Sequence, residues 1–192
     1  MRHGVAGFLA FAAASAYLTR HCLAVANTSM QEDLGFNNEQ FGYLYSAFSL
    51  GYLICQVPGG WLGQKFGTRI VMPTLSVLWS VLTLVVAGIS TLPGMVLARF
   101  GYGLCQAGLI PNQAKVVKDW FPLSSRGSVS GLIGMSMSIG SVVTMTLTAW
   151  LLDFTDWRTI FRAYSVVGVV WAVAFYWFFR TKPAEHPWVT DA

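Results

Sequence analysis

Apolar residues run almost unbroken along this chain, parted at intervals by short clusters of charge and helix breakers. A helix needs about 20 predominantly apolar residues to cross the hydrocarbon core of a bilayer. Six segments qualify, at roughly 4–27, 40–63, 70–90, 93–113, 127–152 and 158–180. The connections between them are short and carry breakers, as in Ser90-Thr91-Leu92-Pro93 and Trp120-Phe121-Pro122. The pattern predicts an all-α integral membrane protein. Its six transmembrane helices form one bundle over residues 1–183, followed by a cytoplasmic tail at 184–192.

Charge then orients the bundle. Arg2 precedes the first span, Lys65 and Arg69 lie between the second and third, and Lys115, Lys118 and Arg126 lie between the fourth and fifth. Arg180 and Lys182 follow the sixth. The opposite ends carry Glu32, Asp33, Glu39, Asp153 and Asp156, with Arg158 as the exception. Basic residues favour the cytoplasmic side, so both termini are expected there, in a plasma or bacterial inner membrane. An even number of spans is what that requires. The opening stretch also imitates a secretory signal peptide, with Arg2, an apolar run and Ala12-Ala13-Ala14-Ser15-Ala16. Apolar character resumes beyond Arg20, so we read it as a retained span. Asn27-Thr28-Ser29 matches a glycosylation acceptor but abuts that span.

Composition agrees with a lipid environment and excludes other classes. The chain is 55% hydrophobic and only 10% charged, with a mean hydropathy of +0.55. A net charge of +4 reports topology here, because the basic residues sit at span ends; no nucleic-acid partner is implied. Cys22, Cys55 and Cys105 lack metal-ligand spacing and read as packing residues, so neither a metal nor a cofactor is expected. No Ser/His pair, His cluster or intramembrane aspartate dyad is present to carry enzymatic chemistry.

Two residues break the apolar rule deep inside spans. Placing Arg20 and Arg99 at the centre of a membrane helix costs about 2.5–3.5 kcal/mol each even on lenient insertion scales. Such residues persist where they face a cavity and hold an anion or a partner. A planar guanidinium suits a carboxylate because it gives two parallel hydrogen bonds. Helical spacing puts Tyr17 on the face of Arg20, and Tyr102, Gly103 and Gln106 on the face of Arg99. Tyr17, Tyr52 and Gln106 are therefore expected to add contacts to a small organic anion. The alternative for Arg99 is a bond to backbone carbonyls or a neighbouring helix. Small residues from Gly127 to Gly140 are expected to let the fifth span pack closely on another helix.

Three motifs then fall in order at the matching ends of the spans. Gly59-Gly60-Trp61-Leu62-Gly63-Gln64-Lys65-Phe66-Gly67-Thr68-Arg69 resembles the loop signature of the major facilitator superfamily, with Gly60, Gln64, Lys65, Gly67 and Arg69 as its conformational-gating positions. Arg99-Phe100-Gly101-Tyr102-Gly103 and Trp157-Arg158 with Phe161 resemble two further elements of that superfamily. Tyr17-Leu18-Thr19-Arg20, Leu23-Ala24-Val25-Ala26, Cys55-Gln56-Val57-Pro58-Gly59-Gly60-Trp61, Trp120-Phe121-Pro122 and the tail Pro183-Ala184-Glu185-His186-Pro187 are similar to its anion:cation symporter family. The resemblance implies the N-terminal six-helix half of a carrier for hexuronates, aldonates and related organic acids. The tail would begin the central linker, and the remaining half or a second copy would complete the site. A chain of this length is expected to show little or no transport alone. A non-transporting bundle with an assembly or regulatory role is the alternative.

The departures bear on coupling. Thr19 and Gln106 stand where many members of that family carry Asp and Glu, and Gln64 stands where the loop signature has Asp. None of the eight acidic residues lies deep in a span, and His21 is the only titratable candidate near mid-span for a coupled proton. Proton coupling is therefore not expected from these six helices.

Overall fold

The computed structural model describes residues 2–180, so the tail, Lys182 and the Pro183–Pro187 pattern lie outside the described residues. Eight helices follow one another: α1 (Arg2–Val25), α2 (Asn27–Leu34), α3 (Asn38–Phe66), α4 (Thr68–Gly88), α5 (Leu92–Ala107), α6 (Leu109–Trp120), α7 (Leu123–Leu152) and α8 (Trp157–Phe178). Local chemistry sets most of these boundaries. Gly35 ends α2 in the left-handed region, at φ 69°. Asn37 and Gln40 form a reciprocal capping box at the start of α3. Pro93 lies in the first turn of α5, where a missing N–H costs nothing. Asp156 caps α8 by accepting from the Thr159 N–H at 3.0 Å.

One expected span, 93–113, is broken into two helices, and the first, 4–27, ends where a separate short helix begins. Between α1 and α2 only Ala26 departs from the helix, and backbone bonds Ala26 N–H to Cys22 and Met30 N–H to Ala26 carry the path across it. Between α5 and α6 the break falls at Gly108, three residues before Pro111, whose ring removes a helical donor. Four helices (α1, α4, α7 and α8) are long and apolar enough to cross a membrane. α3 has the length, 29 residues, but Asn38, Gln40, Ser46, Ser49 and Gln56 dilute its hydropathy. α5 is cut to 16 residues by the Gly108 break.

Other boundaries correct the sequence reading. Lys115, Lys118 and Asp119 lie on α6 and Arg126 in the first turn of α7, so the basic stretch placed between the fourth and fifth spans is largely helical. The turn between α3 and α4 shrinks to Gly67 alone, at φ 83°. Arg162, one turn beyond Arg158 in α8, is a second basic residue at the end otherwise marked by acids.

The helices pack chiefly in three pairs: α1 with α7, α3 with α5, and α4 with α8. Glycine permits the closest crossings. A methyl group at Gly51 would strike the Phe100 carbonyl, and one at Gly103 the Phe48 carbonyl, so α3 and α5 touch backbone to backbone. In α7 only Gly140 is used this way, 2.8 Å from Ala14 backbone atoms for an added Cβ. Gly127, Gly131 and Gly134 face open space, so the close contact expected from them is absent among the described residues. Across the end opposite the N-terminus, Asp33 accepts from Arg158 at 3.0 Å and from the Trp157 indole at 3.1 Å, tying α2 to α8. Arg158 also donates to the Ala87 and Ile89 carbonyls at the end of α4.

The apolar core is split in two. One cluster includes Val5, Leu9, Ala16, Phe48, Tyr102, Trp120 and Phe175; the other includes Cys22, Leu23, Phe41, Met95, Ala98 and Phe161. On α1 the boundary falls between Ala16 and Cys22, and on α5 between Ala98 and Tyr102. Arg20 and Arg99 sit at that seam.

Candidate functional site

The seam gathers side chains from three helices around one ring. Phe48, buried on α3, has the Arg20 guanidinium 4.6 Å and the Arg99 guanidinium 5.2 Å from its centroid. Arg20 lies also 5.5 Å from the rings of Tyr17 and Tyr52, and Arg99 4.8 Å from that of Tyr102. The face of an aromatic ring is electron-rich, and each such contact contributes about 0.5–2 kcal/mol. That is well short of the several kcal/mol needed to desolvate an ion.

Neither cation has a carboxylate partner or a hydrogen bond among the described residues. Arg99 is 3% exposed and its Nε is buried without an acceptor, so the backbone-carbonyl alternative does not describe it. Arg20 is half-buried, as are Tyr17 and Tyr52 beside it. His21 stacks near Tyr17, with ring centroids 5.5 Å apart.

The positions expected to carry acids form a neutral bridge. Thr19 Oγ1 and the Tyr102 hydroxyl lie 2.8 Å apart, and Gln106 Nε2 donates to that hydroxyl at 2.8 Å and to the Ala16 carbonyl at 2.9 Å. Gln106 is thus buried against α1, with its amide nitrogen committed to protein acceptors and its Oε1 buried without a partner. The structure therefore brings Arg20, Tyr17 and Tyr52 together, sets Arg99 behind the same ring, and turns Gln106 into the α1–α5 contact. Phe48 joins the two cations, and sequence reasoning passed over it. An aromatic residue in an apolar helix carries no mark of its own.

Further inward, Asn112 donates to the Gly59 and Gly108 carbonyls at 2.9 and 2.6 Å, and Gln113 to the Leu9 carbonyl at 2.9 Å. These buried amides hold α6 to α3 and α1 where the Gly108 break has freed backbone groups. The residues matching the loop signature sit mostly on helix. Gly60 packs on Pro111, Gln64 and Lys65 are exposed in the last turns of α3, and Lys65 lies 4.7 Å over the Trp61 ring. Arg69 donates to the Tyr176 carbonyl at 3.3 Å and covers its ring at 4.9 Å, docking the start of α4 on α8. A groove of about 1220 Å³ lies elsewhere, between α3 and α5. Its Leu50, Leu53, Leu97 and Phe100 lining is apolar and suits acyl chains or helix packing better than an ionic solute.

A family model of the Major Facilitator Superfamily matches residues 9–192. The chain belongs to that superfamily. Among similar curated proteins, a probable sulfoacetate transporter of Cupriavidus necator is 28% identical over 98% of this chain and 44% of its own length. A probable galactarate/D-glucarate transporter of Bacillus subtilis is 32% identical, covering 92% of this chain and 40% of that protein. A probable L-galactonate transporter of Escherichia coli is 33% identical, covering 93% and 39%. The chain thus spans less than half the length of these relatives. A bacterial homologue of the human lysosomal transporter Spinster, in an inward-facing occupied crystal structure, superposes with a TM-score of 0.81 at 18% identity, over 96% of this chain and 46% of that one. A D-xylose–proton symporter gives 0.72 at 15% identity, over 93% and 47%. At that identity the likeness shows the fold alone. This major facilitator chain is an integral membrane protein of a carrier family, not an enzyme, and its relatives are transporters of organic acids.

Proposed function

We propose that the chain is the solute-binding bundle of an inner-membrane secondary carrier for small organic anions, with Arg20 and Arg99 as its anion-binding cations. The observation that carries this reading is the pair of guanidiniums set against Phe48 with no carboxylate among the described residues to balance them. A cation removed from water and left without an internal partner favours an incoming anion. Tyr17 and Tyr52 place hydroxyl groups beside the more accessible of the two, where they orient the polyol or carboxylate of a sugar acid. Similarity to probable transporters of galactarate, L-galactonate and sulfoacetate supports this solute class.

In this reading the bundle crosses the membrane six times, through α1–α2, α3, α4, α5–α6, α7 and α8, with both termini cytoplasmic. A second six-helix unit completes the pathway against the sides of α3 and α7. Leu53, Ile54 and Val57 on α3, and Ile139, Val142 and Met145 on α7, are exposed large side chains on those sides. Alternating access then comes from rocking of the two bundles about the arginine seam.

Isothermal titration of the purified chain in nanodiscs with galactarate tests the site. Saturable binding is expected in the parent, weakened at least tenfold in Arg20→Ala and in Arg99→Ala, with unchanged membrane insertion and helical circular dichroism. Equal affinity in all three proteins would remove the anion-clamp role.

A further inference from the structure

We propose that this site selects dianions: small solutes carrying two acid groups, either two carboxylates or a carboxylate and a sulfonate, over otherwise matched monoanions. The inference rests on the carrier reading above and adds a count of charges to it.

The two guanidiniums are no more than about 10 Å apart, since one lies 4.6 Å and the other 5.2 Å from the same Phe48 centroid. Both charges are permanent, because a guanidinium keeps its proton in proteins. Among the described residues no acidic side chain pairs with either. In the described residues the carboxylates are Glu32, Asp33, Glu39, Asp119, Asp153 and Asp156, all in connections or at helix ends. Asp33 is engaged with Arg158, and Asp119 with Lys115.

The side chains nearest the cations are neutral and occupied. Thr19, Tyr102 and the Gln106 amide nitrogen bond to one another and to the Ala16 carbonyl, which leaves only the neutral Gln106 Oε1 without a partner. Tyr17, Tyr45 and Tyr52 are phenols of high ordinary pKa, and His21 can only add positive charge. Among the described residues the seam's own balance is therefore two positive charges.

A monoanion cancels one of them and leaves the other in a poorly polarisable seam. A dianion cancels both. The second acid group need not touch Arg99, which is sealed behind Phe48 and Tyr102 with its Nε unpartnered. Where water is excluded, the field of a buried charge acts across several ångströms with little screening. An open chain of roughly four to six carbons holds its terminal acid groups at a separation of the same order as the two guanidiniums. The first acid group takes the fork of Arg20, and the second lies in the field of Arg99, away from the electron-rich face of Phe48.

Galactarate and galactonate make a matched pair of probes. They share a polyol chain and differ at one end, where a carboxylate replaces a hydroxymethyl group. Titrated into the chain in nanodiscs at neutral pH and low salt, galactarate is expected to bind at least tenfold more tightly. Arg99→Gln should collapse the ratio of the two affinities to within about twofold, and Arg99→Lys should restore it. Gln106→Glu, which adds a carboxylate to the seam, should also lower the ratio. Equal affinities in the parent, or an unchanged ratio in Arg99→Gln, would overturn dianion selection while leaving the carrier reading intact. Should Arg99→Gln fail to fold, the parent ratio and the Gln106→Glu result decide. Binding of neither probe would remove the carrier reading itself.

Discussion

Phe48 shows how a residue without a polar atom can organise an ionic site. Its ring is the one surface both guanidiniums share, so it fixes their separation and helps to replace lost hydration. Phe48→Leu keeps an apolar side chain and removes the π-face. We expect it to weaken galactarate binding by about 1–2 kcal/mol, roughly five- to thirty-fold, with Phe48→Trp recovering most of the loss. Titration in nanodiscs measures both. Asp156, at the other extreme of exposure, acts through its charge. Hydrogen bonds from the Thr159 hydroxyl at 2.7 Å and its N–H at 3.0 Å hold the carboxyl below its usual range. A carboxyl whose pKa is lowered in the folded state contributes stability above its unfolded pKa and loses it as pH falls through the folded one. Asp156→Asn retains a capping acceptor and should flatten that acid-side decline in a thermal-unfolding series below neutral pH. Asp156→Ala should cost about 1 kcal/mol at neutral pH.

At the scale of elements, the crossing of α3 and α5 decides where the site forms. Gly103 lets the α5 backbone approach the Phe48 carbonyl, and Gly51 lets α3 approach the Phe100 carbonyl. These two contacts set the register that puts Phe48 between Arg20 and Arg99. Gly103→Ala should therefore destabilise the fold by about 1–3 kcal/mol and weaken anion binding with it, because a backbone neighbour cannot rotate away. Gly131→Ala is the control. An added methyl there meets nothing, so it should be neutral or stabilise α7 by up to about 1 kcal/mol. Melting curves in detergent separate the two. Both glycines lie in similar small-residue runs, and the sequence could not tell them apart, because proximity belongs to a pair of helices.

For the whole molecule, the three main helix pairs give the bundle its own two-part core. The chain is nevertheless less than half as long as its relatives, and apolar side chains remain exposed along α3 and α7. In the proposed architecture a single bundle can bind a solute but has nothing to rock against. Proteoliposomes containing only this chain should thus show no accumulation of radiolabelled galactarate above protein-free liposomes. Uptake by the chain alone would demand a closed assembly of identical bundles. Cross-linking would detect it.

Membrane class, helical content, superfamily and the identity of the two deep cations were all legible along the chain. Lipid imposes a long apolar period, and Arg20 and Arg99 violate it conspicuously. The breakers at Pro93 and Pro122 likewise marked two helix starts, because their chemistry acts within a few residues. The short helix α2 after the first span and the break at Gly108 were not foreseen, since a path of apolar residues looks the same whether its backbone continues or bends. Tertiary structure alone paired Arg20 with Arg99 through Phe48, turned Gln106 away into a bridge with Thr19 and Tyr102, and kept Arg69 on Tyr176. Those relations join residues far apart in the chain. Composition and spacing can say that a charge must find company in the membrane, but only the crossing of helices decides which company it keeps.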